Sequence, residues 1–370
     1  MIRILYVTRF QPNSTNRMRA ESMRQLGLDV IEGHVGELPR LSERFGRLRR
    51  GVTRLLGYPQ VRWQAARTVV EAARKTRPDV IWCDKALFLP GSALDAARRC
   101  GEPLVIHYNP DDPFVVTRVN WDIFRRAIPA YDVHLVPRQP NVAEYLAHGA
   151  RHVLTFDRGY SPTAHVPPDP HDPRWSTFAT DVAFTGTFEA ERAASISMLA
   201  RHGIPVAVRG DAGWESPALF PPSATCYRGG AVFDAEYRLA LGAPKITLHF
   251  LRHANRDEQD SRTFEIPACG GFMLAEWSPR HAELFEEDRE AVFFRDDEEL
   301  LRKVRYYLDH PDERRVIAER GRRRCLESGY DYESRLHDLL TRAFAVAGRQ
   351  DLLDRMPPAP GTSRPRRAAC

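Results

Sequence analysis

Short, continuous apolar runs alternate with stretches of helical period along this chain, and that alternation restricts its fold more than any other feature. In the first half, Ile2–Val7, Asp79–Cys83, Pro103–Tyr108, Asp132–Val136 and His152–Thr155 read as strands. Arg17–Leu26, Arg62–Lys75 and Asn141–His148 carry a helical period between them. A strand that is apolar on both faces must be covered on both faces, and helices between such strands imply a parallel sheet. Ser161–Trp175 then interrupts the pattern with Pro162, Pro167, Pro168, Pro170 and Pro173 and has no period, so it reads as a linker.

After the linker the alternation restarts. Strands are expected at Asp181–Thr185, Pro205–Arg209, Lys245–Phe250, Phe272–Ala275 and Ala291–Phe294. Helices are expected at Glu189–His202, Asp234–Leu241, Arg262–Cys269, Pro279–Glu286, Asp296–Leu308 and Asp312–Glu327. The 370 residues give room for two domains of ordinary size. The expected fold is α/β: two doubly wound, Rossmann-like domains facing a central cleft. The first covers residues 1–160, the linker 161–178 and the second domain 179–330, followed by a helix over 331–347. Residues 348–370, rich in Pro, Arg and Ala, have the composition of a disordered tail. Ligands of such sheets bind beyond the carboxyl ends of the strands, so the cleft is the default site.

Lys and Arg total 54 against 49 Asp and Glu, a formal charge of +5. Uniformly spread, that excess would suggest a polyanionic partner. It is not uniformly spread. Residues 40–54 hold Arg40, Arg44, Arg47, Arg49, Arg50 and Arg54 against Glu43, and the tail adds a second excess, so the remainder is slightly acidic. Leu41, Phe45, Leu48, Val52, Leu55 and Leu56 recur at helical spacing opposite these arginines. Residues 41–56 thus read as a basic amphipathic helix, either packed on its own domain or touching an anionic membrane. Aromatic residues are not interleaved with the basic segments, which argues against nucleic acid as a partner. The six cysteines form no C-x-x-C pair and no zinc-ligand spacing. A reduced, cytoplasmic setting is expected, peripheral at the inner membrane face if the basic helix meets a membrane. No apolar run reaches the ~18 residues of a spanning helix.

Three segments carry residues suited to chemistry. Asp181-Val-Ala-Phe-Thr-Gly-Thr-Phe188 runs from a strand through Gly186 and Thr187 into a helix whose first turn holds Arg192. Free N–H groups at such a helix start and an adjacent guanidinium suit a phosphate, although an ordinary turn with a solvated arginine has the same sequence. Phe250–Leu274 is a strand, a long polar loop, a short helix and the pair Gly270-Gly271. Arg262 starts that helix, where a cation is unfavourable unless an anion is close. Glu265 sits among Phe264, Ile266 and Ala268, where a carboxylate must find donors: a ligand's hydroxyls, or Arg262 in a structural pair. The third segment, His107-Tyr-Asn-Pro-Asp-Asp-Pro-Phe114, leaves a strand at its carboxyl end. Asp111 or Asp112 suits a general base, and a turn with side chains bonded to backbone fits equally well. His107 is either a catalytic group or a core histidine. The polar loop after the first strand, with Asn16 and Arg17, lies where an acceptor would bind. Its sequence has neither G-x-G-x-x-G nor a P-loop.

Taken together, Asp181–Gly186, Asn255-Arg-Asp, Arg262–Glu276, Ala291–Phe294, Glu298-Glu-Leu-Leu, Arg305-Tyr-Tyr-Leu and Ile317–Arg322 resemble the CgeB-like (spore-maturation-protein-type) glycosyltransferases, related to glycosyltransferase group one. His107–Phe114 is similar to that family's corresponding segment. The resemblance runs from Ile2 to about Leu340. It implies a GT-B fold, a hexosyltransferase-type activity, and a nucleotide-sugar donor held by the second domain. Glu265-Ile-Pro-Ala-Cys-Gly matches the second glutamate of the group's E-x7-E signature, which bonds the nucleotide ribose; Asp257 stands at the first. Arg192 and Arg262 would face the diphosphate, with Gly186, Thr187, Asn255, Arg256, Gly270 and Gly271 also on the donor side. His107, Asp111, Asp112 and Asp257 are the catalytic candidates, and Asn16, Arg17, Tyr108 and Asn109 lie on the acceptor side. The resemblance implies no metal and no cofactor beyond the donor as co-substrate; the acceptor is a glycan, lipid, protein or small molecule. The Asp/Glu spacing leans towards retention at the sugar carbon, and a base at Asp111 or Asp112 towards inversion. Two rival functions stand beside this one: a nucleotide-sugar epimerase of the same fold, and a non-catalytic binding protein.

Overall fold

A computed structural model describes residues 1–11, 14–35, 58–115, 119–215 and 226–361. The basic segment 41–56 lies outside the described residues. The Cα packing divides the chain into two units. The first comprises residues 1–157, 253–256 and 333–370; the second comprises 158–252 and 257–332.

The first unit holds one parallel six-stranded sheet: β1 (Arg3–Thr8), β2 (Asp29–His34), β3 (Val80–Asp84), β4 (Leu104–Tyr108), β5 (Val133–Val136) and β6 (His152–Thr155). Their order across the sheet is β2-β1-β3-β4-β5-β6. β1, β3, β4 and β5 are buried almost throughout, as strands covered on both faces must be. Helix Pro59–Thr76 buries Val61, Ala65, Val69 and Ala73, one stripe at i, i+4 spacing. Proline at its first turn costs nothing, because that N–H has no intrahelical partner. β2 was not expected from the sequence. It is the edge strand, and Asp29, Glu32 and His34 leave it half exposed, so it has no apolar run to detect. Helices Gly91–Arg98 and Val119–Ala127 were also not expected.

The second unit holds a parallel five-stranded sheet: β7 (Val182–Thr185), β8 (Val206–Arg209), β9 (Ile246–His249), β10 (Met273–Glu276) and β11 (Val292–Phe294). Their order is β11-β10-β9-β7-β8. Helices Ala190–Arg201 and Asp297–Asp309 bury Ala193, Ile196, Leu199, Leu300 and Val304 in the core beside β7, β8 and β9. Helix Tyr332–Val346 follows this sheet in sequence, yet from residue 333 onward the chain packs with the first unit. Gln350–Leu353 form a further helical turn inside the stretch that the sequence reads as tail. The expected linker is also structured in part, with a short helix at Trp175–Phe178.

Both sheets carry the same topological reversal. The chain moves one way from β1 to β2 and the other way from β1's opposite side to β3; β7, β8 and β9 repeat the move. Connections leaving on opposite faces open a crevice at the carboxyl ends of the two central strands. The loops after β1 and β3, and those after β7 and β9, are therefore where each unit's ligand contacts belong.

Candidate functional site

In the second unit, Gly186 follows β7. Its N–H donates to Arg209 O at 2.9 Å and its carbonyl accepts from Trp214 Nε1 at 2.9 Å. A Cβ there would lie 2.7 Å from the Phe184 ring, so the turn needs glycine for space. Thr187 is exposed. Arg192 is 6% exposed and binds the two loops of the crevice together. Its Nη1 donates to Thr187 O at 3.2 Å, and its Nη2 donates to Phe250 O and Leu251 O at 3.3 and 3.1 Å. Burial lowers its proton affinity, partly offset by Glu189 and Asp260.

The loop after β9 ends on a dense polar cluster. Arg262 N–H donates to Asp260 Oδ1 at 2.7 Å, and His249 Nε2 lies 3.0 Å from the same oxygen. Burial works to raise the Asp260 carboxyl. The charge and hydrogen bond of His249, with Arg262 and Arg158, outweigh it and hold that carboxyl well below the usual range. Thr263 Oγ1 lies 2.9 Å from His281 Nε2, whose Nδ1 is 2.7 Å from Glu276 O. Asp257 is buried, 3.6 Å from Arg158. Gln259, 2% exposed, accepts from Arg158 N–H at 3.3 Å. Glu265, 3% exposed, accepts from Tyr237 Oη at 2.5 Å, with His165 Nε2 at 3.6 Å from its other oxygen. Burial, then Glu265, pushes the Tyr237 phenol well up. Gly270 has φ +77°, which suits glycine, and a Cβ on Gly271 would stand 2.2 Å from Leu241 O.

Arg262 Nε and Gln259 Nε2 are buried and without a hydrogen-bond partner. Buried donors are nearly always satisfied, so two on one loop invite an acceptor from a ligand.

In the first unit, the residues after β3 and β4 come together. Lys85 and Ala86 follow β3 with φ of +63° and +35°, two consecutive non-glycine residues in the left-handed region. Such strain persists only where the surroundings impose it. Lys85 N–H donates to Tyr108 O at 2.9 Å, and its carbonyl lies 3.1 Å from His107 Nε2. Its ammonium reaches Asp111 Oδ2 at 2.7 Å, both side chains being partly exposed. Asp112 is differently placed. Its side chain is fully buried; Oδ1 accepts from Phe114 N–H at 3.0 Å and Oδ2 accepts from Arg256 Nε at 2.7 Å. Asn255 Oδ1 accepts from Asp112 N–H at 2.9 Å, and Arg256 also bonds Glu144 at 2.7 Å. These bonds to Asp112 and Glu144 raise the Arg256 proton affinity. Asn255 and Arg256, expected on the donor side, thus make these bonds within the first unit.

His107 is wholly buried. It stacks on Phe124 at 4.4 Å, and its Nδ1 lies 3.3 Å from Nδ1 of the buried His134. This is the core position that the sequence left open. Tyr108 is buried between the Trp82 and Phe156 rings, and Asn109 donates to Tyr145 Oη at 3.0 Å. Asn16 bonds Thr8 and Arg9, and Arg17 lies over the Phe10 ring, 3.8 Å from Glu32. Sequence reading missed Lys85, Glu144, Arg158, His165, Tyr237 and Gln259. Only the strain at Lys85 is local, and nothing in the residue types announces it.

Among the described residues, no group of three His, Cys, Asp or Glu is placed to hold a metal ion. Their five cysteines are free, and none of their helices is long and apolar enough to cross a membrane.

The two parallel α/β units form a two-domain Rossmann-like fold of the GT-B type. Sucrose-phosphate synthase from Thermosynechococcus elongatus aligns with a TM-score of 0.65 at 14% identity, over 96% of this chain and 98% of that one. HepE from Anabaena, in complex with UDP-glucose, aligns with a TM-score of 0.64 at 13% identity, over 95% and 100%. The lipopolysaccharide outer core galactosyltransferase WaaB aligns with a TM-score of 0.53 at 11% identity, over 95% and 100%. Residues 192–341 match a family model described as Glycosyl transferase-like. No curated protein matches the chain.

Proposed function

We propose that the protein is a glycosyltransferase that moves a sugar from a nucleoside-diphosphate donor to an acceptor hydroxyl, with the donor on the second unit. The pair of buried, unsatisfied donors beside Asp260 carries this reading: Arg262 Nε and Gln259 Nε2 lack an acceptor at the crevice where the fold binds ligands. A diphosphate supplies acceptor oxygens. The family match over 192–341 and neighbours solved with UDP and UDP-glucose support the same donor class.

Sugar transfer develops positive charge on the sugar and negative charge on the leaving diphosphate. Arg262 and the N–H groups after Gly186 would stabilise that diphosphate, and Glu265 would take the ribose hydroxyls. Arg192 acts differently from the expectation of direct contact, because its Nη atoms are engaged with loop carbonyls. It fixes the two loops that carry the other groups. On the first unit, Asp111 is the better-placed carboxylate for an acceptor hydroxyl: Asp112 has both oxygens engaged and is fully buried, whereas Asp111 is partly exposed. We include in this proposal metal-independent chemistry, CgeB-like specificity, hexosyl transfer and a cytoplasmic location. Membrane contact through residues 41–56 completes it.

A panel of nucleotide sugars in a thermal-shift assay tests the donor class. Saturable stabilisation by one donor is expected, and no response to any donor refutes the reading. Acceptor-dependent release of nucleoside diphosphate separates a transferase from an epimerase. Sedimentation with anionic liposomes at low salt tests membrane contact.

A further inference from the structure

We propose that Tyr237 and His165 are positioning residues for Glu265 and, through it, set the discrimination between ribose and deoxyribose in the bound nucleotide. The inference rests on the donor site proposed above and deepens it.

Glu265 lies on a helix whose Phe264, Ile266 and Ala268 are all buried, and its own carboxylate is 3% exposed. A carboxylate in such surroundings needs donors on both oxygens. One distant segment supplies a hydrogen bond to one oxygen, and a second brings an N–H towards the other. Tyr237 stands on helix Asp234–Gly242, its hydroxyl 2.5 Å from Glu265 Oε2. His165 belongs to the proline-rich stretch after β6, its Nε2 3.6 Å from Oε1. The bonding of that ring fixes its tautomer. Nδ1 accepts from Ser161 N–H at 2.9 Å, so the ring proton sits on Nε2, facing the carboxylate. The turn is closed by His165 N–H to Ser161 O at 2.8 Å, and burial lowers the imidazole's proton affinity, partly offset by Glu265.

A hydrogen bond from Tyr237 to one oxygen and the His165 Nε2 N–H facing the other restrict the plane of a side chain whose last torsion is otherwise broad. Each carboxylate oxygen has two lone pairs, so each retains at least one free acceptor position. Two such positions on one carboxylate match two vicinal hydroxyls, which ribose has at its 2′ and 3′ carbons and 2′-deoxyribose lacks. Without Tyr237 Oη the carboxylate turns, and the paired match is lost.

The test measures binding of uridine diphosphate and 2′-deoxyuridine diphosphate to the full-length protein by calorimetry, with guanosine and adenosine pairs alongside. The wild type is expected to favour the ribonucleotide about tenfold or more, the size of one hydrogen bond to a charged group. Tyr237→Phe removes one oxygen. His165→Asn removes the Nε2 N–H that faces Oε1, while an amide oxygen can still accept from Ser161 N–H. Both variants should weaken ribonucleotide binding and barely change deoxyribonucleotide binding, so the preference falls towards one. A merely structural role would weaken both nucleotides equally and leave the preference intact, which overturns the proposal, as does a wild-type preference near one. If the wild type binds none of these diphosphates, the donor-site reading itself fails. Because the two variants lie on separate segments, one remains informative if the other does not fold.

Discussion

Acid should destabilise the first unit through His134, by an amount that its surroundings define. His134 is fully buried on β5, packed against His107, Tyr131 and Tyr145 with ring centroids 5.3, 5.1 and 4.8 Å away. Burial pushes its imidazole from the ordinary 6.5 down to about 4, partly offset by the bond with Ile128 O and by Asp132. The folded pKa is depressed, so the unfolded chain binds the extra proton first. The contribution is complete above pH 6.5 and is lost as pH falls from 6.5 towards 4. At ~1.4 kcal/mol per pH unit this amounts to ~3 kcal/mol. His107, pushed down by burial and by the charge of His134, acts in the same direction. His134→Gln keeps an N–H donor for Ile128 O but has nothing to titrate. Urea titrations followed by fluorescence, at intervals from pH 7.5 to 4.5, should give a wild-type stability that falls by ~3 kcal/mol more than the variant's across that window. Parallel losses in the two proteins would refute the reasoning, whatever their absolute stabilities.

Asp112→Asn should lower stability by ~2 kcal/mol, because its buried carboxylate holds Arg256 and Phe114 N–H. Asp111→Asn should change it by under ~1 kcal/mol, since Asp111 and Lys85 are both partly exposed; thermal unfolding compares them. Arg192→Met strips donors from Thr187 O, Phe250 O and Leu251 O, and should cost ~3 kcal/mol in urea unfolding and weaken nucleotide binding with it. Gly271→Ala sets a Cβ 2.2 Å from Leu241 O, a rigid backbone atom, and should cost ~3 kcal/mol or more by the same measurement. Gly203→Ala meets nothing within 4 Å and pays only for its φ of +79°, ~1 kcal/mol.

The sheet strands were legible because a parallel strand buried on both faces is a continuous apolar run, and all the central strands are. β2 escaped for the converse reason: at the edge it is half exposed, and its polar residues hide it. The polar cluster of the second unit was legible where its members are near in sequence, as Arg262 and Glu265 are. Tyr237 and His165 reach Glu265 from 28 and 100 residues away, a juxtaposition made by tertiary packing that no local pattern records.

His107 shows where residue type misleads. In register it lies between Cys83 and His134, and Tyr108 lies between Asp84 and Leu135. One residue points to each face of the sheet, yet both are buried, because both faces are covered. At the end of a central parallel strand, alternation therefore cannot deliver a side chain to a ligand: either face leads into the core. Only residues past the hydrogen-bonded ladder escape it. On β3 the ladder ends at Asp84 and the first residue beyond is Lys85; on β4 it ends at Tyr108, and Asp111 follows after the Asn109 turn. The ion pair between Lys85 and Asp111 is thus made by the first residues free to make it. A histidine and an aspartate four residues apart look equivalent in the sequence, but the ladder's last rung falls between them and separates the buried group from the partly exposed one.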